Sequence, residues 1–132
     1  MKKLSVLIID DSETDRYILK RFLLKTDFVS EIIEFNNGKN ALEYLAKNEL
    51  KSPQLVYVDI NMPLMGGFEF LENYKHINFD CNNERFFYVI SSSSNESDKN
   101  KSLSYPFVDE YMVKGNFTAK DLKAKLSKYI DV

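Results

Sequence analysis

Three aspartates, a serine and a lysine stand where short apolar runs stop, and together they could transfer a phosphoryl group. Asp10 and Asp11 end the first run, and Asp59 closes the third. Ser91 closes the fourth, inside the serine run Ser91–Ser94, and Lys114 closes the fifth. If the runs are parallel strands, all of these ends share one edge. Carboxylates gathered there would raise one another's pKa, at about 1.4 kcal/mol per unit, so the cluster calls for a cation. Oxygen ligands with open positions suit Mg²⁺, which binds through one or two carboxylates and keeps several waters. Asp10 and Asp11 would supply oxygens from one strand and Asp59 from its neighbour. The backbone carbonyl of Asn61 is a further ligand candidate. A carboxylate can act as a nucleophile and form an acyl phosphate, while a cation and a lysine neutralise the transferring group. Asp59, the lone acid at the end of the central run, is the nucleophile candidate. Lys114 is its counter-charge and Ser91 a hydroxyl donor.

Each residue alone has an ordinary structural explanation. Asp10-Asp11-Ser12 could simply cap a helix, and Asp59 could belong to the turn before Pro63. Lys114 could be a solvated strand end, and the serines a flexible loop. The coincidence of all four at matching strand ends favours the chemical reading.

The runs that position these residues are Leu4–Ile9, Glu31–Phe35, Gln54–Ile60, Arg85–Ser91 and Glu110–Lys114. The first, third and fourth are nearly continuous in apolar character, as suits strands buried on both faces of a parallel sheet. Helical patterns separate them. One follows Ser12, with Ile18, Leu19, Phe22 and Leu23 as its stripe and Asp15 placed for a capping box. Another follows Asn37-Gly38, with Ala41, Leu42, Leu45 and Ala46. A short helix after Gly66-Gly67 carries Phe68, Leu71 and Tyr74. The polar stretch Ser97–Ser104 is a weakly patterned helix. Thr118 caps the last helix, with Asp121 three positions on and Leu122, Leu126 and Ile130 on one face. Five β-α units predict an α/β fold with helices on both sides of a parallel sheet. Ligands of such sheets bind beyond the carboxyl ends of the strands.

The 132 residues fit a single domain spanning 1–132. A net charge of −2 and a pI near 5.5 argue against nucleic-acid binding. Lys120, Lys123, Lys125 and Lys128 form the densest basic cluster and are expected to be a solvated helix face. One cysteine, Cys81, excludes an internal disulfide and suits a reducing compartment. It lies in the polar stretch Asn78–Glu84, expected to be a tolerant loop. The single histidine, His76, is expected at the surface. No stretch is long enough to cross a membrane, and a cytoplasmic location is expected.

Five ordered motifs carry a resemblance to a known family. They are Leu7-Ile8-Ile9-Asp10-Asp11-Ser12, Asn37-Gly38-Lys39-Asn40-Ala41-Leu42, Asp59-Ile60-Asn61-Met62-Pro63, Val89-Ile90-Ser91-Ser92-Ser93 and Tyr111-Met112-Val113-Lys114. In this set and order the chain resembles the receiver domain of two-component response regulators, of the single-domain chemotaxis-regulator type. The resemblance implies a flavodoxin-like, doubly wound, five-stranded parallel sheet of order 2-1-3-4-5 with five helices. It also implies that Asp59 is the phosphoacceptor and that Asp10 and Asp11 hold Mg²⁺. Ser91 would be the switch hydroxyl and Tyr111 the switch aromatic, with Asn61 and Ser93 tuning the access of water. The implied donor is a histidine kinase or a histidine phosphotransfer protein. The output would be a contact with a downstream protein through the last helix, the fifth strand and the fourth helix, and a homodimer is possible there. Two residues depart from the family pattern. Gly115 follows Lys114 where proline is usual; without proline a cis bond costs roughly 2.5–4 kcal/mol, so the bond is either trans or cis at that expense, and the sequence leaves the two open. Gly66 replaces the usual Asp or Asn, which should alter helix capping.

Two other functions remain open. A magnesium phosphohydrolase with an aspartyl nucleophile would use the same chemistry, but such enzymes usually carry Asp-x-Asp after the first strand and a cap domain, and neither is visible. A receiver-like binding module without phosphorylation would suit the Lys114-Gly115 departure, but not the complete set of Asp10, Asp11, Asp59, Ser91 and Lys114.

Overall fold

The structure, a computed structural model, describes residues 3–47, 53–77 and 85–130. Cys81 and the expected loop Asn78–Glu84 lie outside the described residues. The chain alternates strands and helices: β1 (Leu4–Ile9), α1 (Glu13–Leu24), β2 (Val29–Phe35), α2 (Gly38–Lys47) and β3 (Gln54–Asp59). There follow α3 (Gly67–Lys75), β4 (Arg85–Ser91), α4 (Glu96–Leu103), β5 (Val108–Val113) and α5 (Ala119–Leu126), with a closing 3₁₀ turn at Ser127–Tyr129. All strand pairs are parallel, in the order β2-β1-β3-β4-β5. The expected fold is therefore present.

The three central strands are buried along their whole length, apart from half-buried Phe86. Alternate residues face opposite sides and build two cores. Leu7, Ile9, Val56, Val58, Phe87 and Val89 meet Ala41, Leu45, Phe70, Leu71 and Tyr74 of α2 and α3. Val6, Ile8, Leu55, Tyr57, Tyr88 and Ile90 meet Leu19, Leu23, Leu122 and Leu126 of α1 and α5. Burial of apolar area on both faces leaves no solvated side to these strands, which explains their unbroken apolar runs.

The edges differ from the expectations. β2 begins at Val29 and β5 at Val108, each two residues earlier than the apolar pattern indicated. Ser30 and Asp109 are exposed there and interrupt the runs without interrupting the strands. β3 ends at Asp59, one residue short of Ile60. Ile18 is 45% exposed, so the buried stripe of α1 is Leu19 and Leu23 with Phe22 alongside. In α2, Ala46 is exposed. In α3, Phe70 is fully buried, whereas Phe68 only packs against the core margin. Ile130 is buried as expected but lies past the end of α5. Helix α4 is held by caps more than by apolar packing: Asn95 accepts from the Ser97 amide at 2.7 Å, and its one buried residue is Ser102.

Candidate functional site

The chain leaves β1, builds β2 on one side, then crosses β1 to build β3 on the other. The sheet thus splits its connections between β1 and β3, and the carboxyl ends of those two strands frame the crevice where ligands of such sheets bind. Ile9 pairs with Val58, so Asp10 and Asp59 emerge side by side. Both are about 3% exposed, whereas Asp11 is open to solvent. Asp10, Asp11 and Asp59 can each offer an oxygen within 4.8 Å of the others, close enough to share one ion. Oxygen-only donors with an open outer side fit a hard divalent cation.

Backbone geometry fixes each group. Asp10 Oδ1 accepts from the Ser12 amide at 2.9 Å. Arg16 donates from Nη1 to the Asp10 carbonyl at 2.7 Å while its Nε pairs with Glu34 at 3.0 Å. Ser12 caps α1 by accepting from the Asp15 amide at 3.2 Å. Gly67 packs against the start of the β3–α3 loop: its amide donates to the Ile60 carbonyl at 3.1 Å. Gly66 caps α3 without a side-chain bond, in line with its departure from the family pattern. The Asn61 amide donates to Asp59 Oδ1 at 3.4 Å.

Lys114 follows β5 and reaches over the cluster. Its ammonium lies 2.8 Å from Asp10 Oδ2, 2.8 Å from Asp15 Oδ2 and 3.6 Å from Asp59 Oδ1. The Lys114 amide donates to the Ser91 carbonyl at 2.7 Å, tying β5 to β4 at the site. The described residues contain no cis peptide, so Lys114-Gly115 is trans, with Gly115 at φ +83°. Burial opposes the Lys114 charge, yet hydrogen bonds to Asp10 and Asp15 and the charge of Asp59 hold the ammonium above its usual range. Asp59 is raised as well, which for a carboxylate disfavours the charged form. Burial and then the Asp10 charge push it up to about 7, only partly offset by Lys114. An acid held at such a value at the mouth of a crevice is a candidate functional position.

Ser91 is fully buried, and its hydroxyl accepts from the Ser93 amide at 3.0 Å. Ser93 knots the β4–α4 loop. Its carbonyl accepts from Tyr111 Oη at 2.6 Å and its hydroxyl accepts from the Asn95 amide at 3.0 Å. Tyr111, half-buried, is thus tethered to the loop that starts at Ser91. Asn61 is exposed at the rim. Asp10, Asp11, Asp59 and Lys114 converge directly, then, while Ser91, Ser93 and Tyr111 form one hydrogen-bonded unit beside them. Two residues of the site are not legible in the sequence. The spacing from Ser12 assigns Asp15 to capping, but its carboxylate binds Lys114 instead. Arg16 carries no local signal, since its partners Asp10 and Glu34 are met only through the tertiary fold.

The response regulator receiver domain family matches residues 6–127 of the chain. The chain belongs to that family. Chemotaxis protein CheY-3 of Vibrio cholerae is 31% identical over 130 residues, covering 98% of this receiver and 94% of that protein. A protein-glutamate methylesterase/protein-glutamine glutaminase of Desulfotalea psychrophila is 40% identical over 77 residues, covering 58% of this receiver and only 20% of that protein. Among solved structures, a two-component response regulator from Cytophaga hutchinsonii superposes with a TM-score of 0.84 at 28% identity, covering 98% of each chain. The receiver domain of Ssk1, co-crystallised with the histidine phosphotransfer signaling protein Ypd1 of Saccharomyces cerevisiae, shares the fold. Its TM-score is 0.74 at 22% identity, covering 97% of this chain and 89% of that one. Among the described residues no helix is long and apolar enough to cross a membrane.

Proposed function

We propose that this receiver accepts a phosphoryl group on Asp59 from a phosphohistidine of a histidine kinase or histidine phosphotransfer protein. The observation that carries the reading is Asp59 itself: buried beside Asp10, raised to about 7, with the Lys114 ammonium 3.6 Å away. An Asp59 oxygen attacks phosphorus, the P–N bond to the donor imidazole breaks, and the ring nitrogen leaves with the electron pair and takes up a proton. Asp10 and Asp11, with Asp59 and the Asn61 carbonyl, would hold Mg²⁺, which when bound neutralises charge on the phosphoryl oxygens. Lys114 donates to one of those oxygens and Ser91 to another. Movement of Ser91 toward the phosphoryl group pulls on the Ser93 knot, and Tyr111 turns inward as its tether changes. Asn61 and Ser93 flank the route by which water hydrolyses the acyl phosphate, so the domain resets itself.

The Ypd1 complex supports a phosphotransfer protein as donor, by analogy of fold. The output is contact with a downstream protein through α4, β5 and α5, a surface that a homodimer could also use. Residues 1–132 act as one receiver unit, in the cytoplasm where such donors work. Incubation with acetyl phosphate and Mg²⁺ tests the reading by intact mass. A labile single phosphoryl adduct, absent without magnesium and absent in Asp59→Asn, is expected. A folded wild-type protein that never acquires the adduct contradicts it.

A further inference from the structure

We propose that Asp15 is a positioning residue that holds Lys114 on the α1 side of the pocket at rest and so restrains phosphorylation. The inference rests on Asp59 being the phosphoacceptor. An ammonium has three donors to direct. Two of them are engaged at 2.8 Å by Asp10 and Asp15, while Asp59 at 3.6 Å lies beyond hydrogen-bond reach. Lys114 is therefore docked on Asp10 and Asp15 and attracted to Asp59 only through space.

The three carboxylates are not equivalent to a lysine that must turn toward a phosphoryl group. Asp10 directly follows β1 and emerges beside Asp59 at the end of β3, so the ammonium can keep it while moving to Asp59. Asp15 belongs to the first turn of α1, outside the cluster of Asp10, Asp11 and Asp59, and is the contact given up. Its carboxylate has no capping duty: Ser12 uses the Asp15 amide, and the Asp15 oxygen is directed at Lys114.

The surroundings leave the lysine free to choose. A cavity of about 300 Å³, lined by Asp10, Asp15, Ile18, Lys114, Gly115 and Phe117, opens on the α1 side of the ammonium. A Cβ at Gly115 would meet nothing within 4 Å, so the residue after Lys114 is not clamped by packing. Side-chain partners, and not the backbone that follows, decide where the ammonium rests. Asp15 thus competes with the incoming phosphoryl oxygens for the same donor.

A kinetic asymmetry follows. Phosphorylation begins with Lys114 on Asp15, whereas hydrolysis begins from a state in which that contact is already broken. Removing the Asp15 charge should speed the first and leave the second alone. The test uses acetyl phosphate with Mg²⁺: the P–O bond to acetate breaks, the Asp59 O–P bond forms and acetate leaves. Initial rates of adduct formation are read by intact mass, and decay is read after the donor is removed. Asp15→Asn should accelerate formation about 2- to 5-fold, the scale of a half-exposed ion pair, with an unchanged decay rate. Asp15→Glu, which keeps the charge, should restore the slower rate. Glu13→Gln, an exposed acid in the same helical turn, should match wild type if the effect is local.

Equal or slower formation in Asp15→Asn overturns the proposal, as does equal acceleration in Glu13→Gln, or a parallel change in decay. An adduct that persists in Asp59→Asn overturns the acceptor assignment itself, and the role of Asp15 with it. Circular dichroism of each variant checks the fold, which a surface change at a partly exposed helix residue should leave intact.

Discussion

Asp59→Asn should stabilise the metal-free protein, although it removes the proposed phosphoacceptor. The carboxylate rises from its ordinary 3.8 to about 7 because burial and the Asp10 charge oppose its ionisation. Each tenfold change in an ionisation equilibrium is about 1.4 kcal/mol, so above neutral pH the folded state carries a penalty of at most about 4 kcal/mol. Solvent at the open side of the pocket, where Asp11 and Asn61 are exposed, screens part of this, leaving about 2 kcal/mol. The sign follows from proton binding. Between the unfolded value near 3.9 and the folded value the native state binds more protons, so stability falls as pH rises across that window. The substituted carboxamide would keep the shape, accept from the Asn61 amide and carry no charge, while Lys114 would keep Asp10 and Asp15. Thermal melts in chelator at pH 8 should place Asp59→Asn about 5–10 °C above wild type, with the gap closing as pH falls toward 4. Mg²⁺ should raise the wild-type midpoint more than the variant's, since a cation relieves the same repulsion. A variant that melts at or below wild type at pH 8 without metal, or a gap independent of pH, would refute this account of the pocket's electrostatics.

Three further substitutions probe the scaffold. Gly67→Ala should cost about 1–3 kcal/mol in urea unfolding and slow phosphorylation, because a Cβ there would stand 2.5 Å from Ile60 Cα and 2.6 Å from the Asp59 carbonyl oxygen. Leu64 is fully exposed with φ +67°; Leu64→Asn, a residue that tolerates this conformation, should raise stability by about 0.5 kcal/mol in the same assay. Thr118→Ala removes the hydroxyl that accepts from the Asp121 amide in the α5 capping box, leaving the backbone half, and should lower stability by about 1 kcal/mol.

The central strands were legible because burial on both faces demands unbroken apolar runs, and so were the acids that end them. The edge strands were legible only in part. Ser30 and Asp109 face water, so apolar character begins later than hydrogen bonding does. Ile18 fits a helical stripe in the sequence, yet α1 leans on the sheet through Leu19 and Leu23, and Ile18 falls outside the contact. Thr118 and Asp121 showed their reciprocal cap because both halves are local. Ser12 and Asp15 have the same spacing, and there a partner distant in sequence, Lys114, draws the Asp15 carboxylate away. That choice is tertiary and leaves no trace in local pattern. The hydrogen bond from Tyr111 to Ser93 likewise joins β5 to the β4–α4 loop, and only the fold brings it about.

The identity of the acceptor can be read directly. The protein is treated with acetyl phosphate and Mg²⁺, the acyl phosphate is reduced with borohydride, and the peptides are mapped by mass. Conversion of residue 59 to homoserine, with Asp10, Asp11 and Asp15 left as aspartate, is the predicted result. Homoserine at another position, or at none despite a phosphoryl adduct on the intact protein, would contradict the assignment of Asp59.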